Sequence, residues 1–153
     1  MTAAARGLSA DAAKMSNYVF RGDDNYRDGP LGRAFGAQAD GADIQNFADH
    51  VLRKESNLSS RYTSFTEEVK VARRFTSASD NRHVRKADAA ALRGLEAQGV
   101  LRIWDPDLVY AALKKGPRNL AKQAADIRAA MKRNSEILIE GQVPAGTLGA
   151  TDE

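Results

Sequence analysis

One stretch constrains the fold more than any other: Arg61-Tyr62-Thr63-Ser64-Phe65-Thr66-Glu67-Glu68-Val69-Lys70-Val71-Ala72-Arg73-Arg74-Phe75. It reads as a short strand over Tyr62 to Phe65 that stops at a hydroxyl-rich step and turns directly into a helix. The helix is expected over Glu67 to Ser77, presenting Val71 and Phe75 four residues apart on one face. Ser64-x-x-Glu67 has the spacing of a capping box, in which hydroxyl and glutamate satisfy backbone donors at a helix start. Thr66 is an alternative cap, and the hydroxyl not used for capping can face a neighbouring strand.

The step lies between two other strand signals. Tyr18-Val19-Phe20 is aromatic and β-branched and ends in Arg21-Gly22, so a strand is expected from Asn17 to Gly22. An arginine at a strand end presents a planar fork of donors suited to a phosphate; a salt bridge to Asp23 or Asp24 is the structural alternative. Glu136-Ile137-Leu138-Ile139-Glu140 is the second strand, with Glu136, Leu138 and Glu140 on one face by alternation. A carboxylate entering so apolar a strand is unusual; a wet edge-strand end accounts for it equally well.

Elsewhere, residues 9 to 16 are expected to be helical with Ser9 as cap, and 22 to 41 form a loop rich in glycine and aspartate. Ala42 to Lys54 carries Ile44, Phe47 and Val51 at helical spacing, with His50 near its end. Residues 78 to 88, which include His83, are polar and expected to be a loop. A helix over Ala89 to Gln98 ends at Gly99, and a strand runs from Val100 to Trp104. Asp105-Pro106 opens the next helix, which ends near Gly116-Pro117, and another spans about 118 to 132. Val143-Pro144-Ala145-Gly146 closes the fold, with the last residues frayed. Strands and helices do not alternate one for one, so the expected class is α+β, a single domain over 1–153 with its core at about 17–147.

Composition removes several kinds of chemistry. Cysteine is absent, which excludes disulfides, zinc–thiolate centres and a cysteine nucleophile. The two histidines, His50 and His83, have no second ligand at metal spacing, so a metal-free site is expected. No apolar run reaches the roughly 20 residues that span a bilayer. The first residues, Met1-Thr2-Ala3-Ala4-Ala5-Arg6, lack the apolar core of a secretory signal, so the expectation is cytosolic action or excision from a larger chain. The net charge of +3 gathers in runs such as Arg82 to Lys86 and Lys132-Arg133, which permits a nucleic-acid partner; interspersed acids make solvated helix faces the simpler reading.

Taken in order, the arginine, hydroxyl and glutamate motifs resemble the mono-ADP-ribosyltransferase toxin family of the arginine–serine–glutamate type. Tyr18-Val19-Phe20-Arg21-Gly22 is similar to its first motif, and Tyr62-Thr63-Ser64-Phe65-Thr66 followed by Val71-Ala72-Arg73-Arg74-Phe75 to its second. Glu136-Ile137-Leu138-Ile139, with Pro144 beyond, is similar to its third. Two departures stand out: Phe65 replaces the central hydroxyl residue, and Asn134 occupies a position where many members carry glutamate or glutamine.

The resemblance implies a small split mixed or antiparallel sheet flanked by helices, and transfer of ADP-ribose from NAD to a macromolecule, protein or RNA, with release of nicotinamide. It implies Glu136 and Ser64 as the catalytic pair, with Ser64 orienting the glutamate. Arg21, Gly22, Tyr62 and Thr66 would form the NAD-binding set, and Asn134 would influence the choice of acceptor. It further implies a monomeric, secreted bacterial effector acting in a target-cell cytoplasm, with a cognate immunity protein as partner and no membrane association. A NAD glycohydrolase on the same fold and a non-enzymatic basic nucleic-acid-binding or interaction domain are the alternatives.

Overall fold

The computed structural model describes residues 13–24, 26, 29–32, 51, 62–77 and 81–151. Among these, six strands form one antiparallel sheet: β1 (Tyr18–Gly22), β2 (Tyr62–Thr66), β3 (Val84–Asp88), β4 (Leu101–Trp104), β5 (Glu136–Gly141) and β6 (Leu148–Ala150). The helices are α1 (Val69–Arg73), α2 (Ala89–Ala97), α3 (Pro106–Lys114), α4 (Arg118–Ala121) and α5 (Ala124–Arg133). The protein is therefore α+β, with strands in the order β4-β5-β2-β1-β3-β6.

The sheet has a seam. β2 and β5 pair along five registered positions, as do β1 and β3, but β1 meets β2 only at Phe20↔Thr66. Two three-stranded halves thus join at a single pair, β4-β5-β2 on one side and β1-β3-β6 on the other.

Alternation along the strands builds two cores, one on each face of the sheet. Phe65, Ile137, Ile139, Ile103, Leu101, Val19 and Ala87 face α2 and its Leu92. Tyr62, Leu138 and Trp104 face the α3–α5 side, against Val109, Leu113, Ile127 and Met131. Full burial of each large aliphatic residue contributes about 1.5–3 kcal/mol, so the Ile-Leu-Ile centre of β5, 0–1% exposed, anchors both layers.

Several expectations hold for their stated reasons. Gly99 follows α2 with φ +79°, a left-handed turn that glycine adopts without steric cost. Pro106 opens α3, and the Asp105 carboxylate caps it by accepting from Leu108 N at 2.7 Å. The other Asp105 oxygen accepts from Lys14 N at 2.7 Å.

Other expectations are corrected. Residues 13–16 are not helical, because Lys14 N and Ser16 N are bonded to the carboxylates of Asp105 and Glu67 rather than to a preceding turn. The segment expected to be a polar loop contains β3: Val84 and Ala87 are buried, while Arg85 and Lys86 lie over the rings of Tyr26 and Tyr18. Leu148–Ala150, where no strand was expected, is β6 and pairs with β3. The helix expected over about 118–132 is broken at Lys122-Gln123 into α4 and α5. Residues 9–12 of the first expected helix, and Ala42 to Lys54 with His50, lie outside the described residues except for Val51, which is buried.

Candidate active site at the seam of the sheet

The hydroxyl-rich step is built differently from the capping-box expectation. Ser64 is inside β2, which continues to Thr66, and α1 starts only at Val69. Glu67 N donates to Ser135 O at 3.0 Å, so the chain stays extended one residue longer before it coils. The Glu67 carboxylate accepts from Ser16 N and from Ser16 Oγ instead of capping. Thr66 serves the step: its Oγ1 accepts from Glu68 N at 3.2 Å and donates to Asn134 O at 2.6 Å. Because α1 ends at Arg73, Phe75 falls off the Val71 face and is 58% exposed.

Glu136 opens β5 directly opposite Thr66. It is only 5% exposed, and its Oε1 oxygen is buried without a hydrogen-bond donor. Ser64 pairs with Leu138, which puts it on the same sheet face as Glu136, one diagonal away. Glu140, at the other end of β5, pairs with Tyr62 and accepts from Trp104 Nε1 at 3.0 Å. The two glutamates of one strand thus have different surroundings, and Glu140 is tied to the core.

Arg21 reaches across the seam. Its Nη1 donates to Ser64 O at 3.0 Å, linking β1 to β2 just beyond their one registered pair. Nη2 pairs with Asp23 at 3.2 Å, the salt bridge foreseen as the alternative, and Nε is buried without an acceptor. The fork is therefore partly engaged, with one donor unmet.

Arg21, Ser64, Thr66 and Glu136 come together at the seam, while the remaining candidates take other positions. A Cβ on Gly22 would stand 1.9 Å from Ala72 O, so this glycine is what lets α1 press against β1. Tyr62 is 7% exposed within the α3–α5 core, four residues and about 13 Å along β2 from Thr66. Asn134 caps α5, and its carbonyl takes the Thr66 hydroxyl.

Two residues at the site were not singled out by sequence. Ser135 has φ +49°, the one non-glycine with positive φ among the described residues, and its Oγ donates to Glu68 Oε2 at 2.6 Å. Ser-Glu is a common dipeptide, and only the abrupt change from helix to strand at 134–136 hints at so tight a turn. Among the described residues no group of three or more histidine, aspartate or glutamate side chains is placed to hold a metal ion. No family model matches the chain, and neither does any curated protein or solved structure.

Proposed function

We propose that the chain is a NAD-dependent mono-ADP-ribosyltransferase with an ADP-ribosyltransferase-like fold. One observation carries this reading: Arg21, Ser64, Thr66 and Glu136, from three separate parts of the sequence, meet where the antiparallel sheet splits. The residues suit NAD, since the buried Arg21 Nε lacks an acceptor that a phosphate oxygen would supply. The α+β class and the seam between two half-sheets support the fold assignment.

In the reaction the bond between nicotinamide and ribose breaks, nicotinamide leaves with the electron pair, and an acceptor nucleophile bonds to the ribose carbon and loses its proton. Positive charge builds on the ribose as that bond lengthens, as in glycoside cleavage. Glu136 opposes that charge with a carboxylate held in a water-poor position, which favours the transition state over the ground state. Ser64 stands on the same face to orient it, Thr66 fixes the turn beside it, and Arg21 holds the phosphates while bracing the seam. We further propose a macromolecular acceptor, protein or RNA, met after delivery of the chain into a target cell.

The test is nicotinamide release from NAD by wild type and Glu136→Gln, with and without cell lysate, alongside labelled-NAD transfer to macromolecules. Glu136-dependent release with label on a macromolecule is expected. Release without transfer would make the protein a glycohydrolase, and no release under either condition would refute NAD chemistry.

A further inference from the structure

The turn before Glu136 is more heavily fixed than a helix–strand connection requires. Ser135 N donates to Lys132 O at 3.2 Å, and Ser135 O accepts from Glu67 N at 3.0 Å. Its side-chain Oγ donates to Glu68 Oε2 at 2.6 Å, and the neighbouring Asn134 O takes the Thr66 hydroxyl at 2.6 Å. These bonds extend the β2–β5 ladder past its last registered pair and zip the step after β2 to the turn before β5.

The left-handed conformation of Ser135 is what the zipper maintains. A serine with φ +49° is disfavoured by contact of its Cβ with the backbone and persists only where the surroundings over-determine it. If Ser135 relaxed to a right-handed φ, the peptide joining it to Glu136 would rotate. Glu136, the first residue of β5, would then leave its place opposite Thr66.

We propose that Glu68 is a positioning residue for Glu136, acting through Ser135. Its carboxylate holds the Ser135 hydroxyl by a short, charge-assisted bond and so keeps the catalytic glutamate aimed. Glu68 suits this task because it does little for the fold: it is exposed, and its side chain makes no capping bond to α1. Its catalytic consequence rests on the reading of Glu136 given above.

The experiment combines NAD-cleavage kinetics, melting curves and the pH titration of the Glu136 side-chain carbonyl carbon by NMR, in Glu68→Ala, Glu68→Gln, Ser135→Ala and the Glu68→Ala/Ser135→Ala double variant. Glu68→Ala is expected to lower kcat by about tenfold, a small misplacement of a reacting group, with KM little changed. Glu68→Gln, which still offers an acceptor oxygen, should restore most of the rate. The double variant should be no worse than either single one, since both remove the same contact. The Glu136 titration should move in Glu68→Ala and return in Glu68→Gln. Wild-type kcat and an unmoved titration in a folded Glu68→Ala would overturn the positioning role and leave the proposed reaction standing. A moved titration in a protein that cleaves no NAD would retain the positioning role and refute the reaction. Should Glu68→Ala fail to fold, Ser135→Ala gives the same readings with Glu68 in place.

Discussion

Glu136→Gln separates charge from shape at the candidate site. The substitution keeps the length and planarity of the side chain and removes one negative charge from a position 5% exposed, opposite Thr66. Two unit charges ~4 Å apart attract by about 4 kcal/mol at an effective dielectric constant of about 20. A ribose carrying only part of a charge would draw on about 3 kcal/mol of that, and each 1.36 kcal/mol is about a tenfold change in rate. The expected loss in kcat for nicotinamide release is therefore at least ~100-fold, the scale of one preorganised contact. Nicotinamide formation is followed chromatographically, with a melting curve on the same sample to show that the fold is retained. Glu140→Gln is the internal control, since a glutamine oxygen still accepts from Trp104 Nε1 and the group lies at the far end of β5. A folded Glu136→Gln variant with activity within about tenfold of wild type refutes the charge argument. An inactive Glu140→Gln beside an active Glu136→Gln would move the site to the other end of the strand.

Arg21→Lys keeps the charge but loses the fork that bonds Ser64 O and Asp23, so NAD affinity measured by titration should fall while the circular-dichroism spectrum stays native. Gly22→Ala should lower stability by about 2 kcal/mol or more in a denaturant melt, because its Cβ would stand 1.9 Å from a backbone oxygen that only a shift of α1 can clear. Thr66→Val removes a hydroxyl that serves both Glu68 N and Asn134 O, and should cost about 1–2 kcal/mol and lower kcat on the same preparation. Asp105→Ala should cost about 2 kcal/mol, one bond capping α3 and one holding Lys14, with no direct effect on the reaction once the melt is accounted for.

What could be read in advance depended on whether local chemistry or distant partners decided each segment. β5 was legible because three consecutive aliphatic residues bounded by glutamates have few other uses, and α3 because Asp-Pro marks a helix start. β3 was hidden: Arg85 and Lys86 look like loop residues until the rings of Tyr26 and Tyr18, far off in sequence, receive their charged heads. Ser64 matched a capping box whose partner, Glu67, was taken by Ser16 through a long-range contact. Around the candidate site, the strand positions of Arg21, Ser64 and Glu136 were legible, while Thr66, expected to follow the strand, lies within it. The seam beside them was not legible, because no local pattern tells β1 to leave β2 after one pair.

The route of the chain across the seam bears on how the protein can form. From β1 it crosses to β2, returns to β3, goes over to β4 and β5, and comes back to end in β6. Neither half-sheet is continuous in sequence; β2 waits for β5, and β3 receives its second neighbour from residues 148–150. During synthesis, an emerging chain therefore carries no finished half until β5 has been made. Pairings so distant in sequence are slow to close, because the loop entropy is lost before the contact is gained. A ribosome-bound fragment that stops before Glu136 should accordingly be protease-sensitive and inert, and the full chain should acquire compactness and site together in one late, cooperative event.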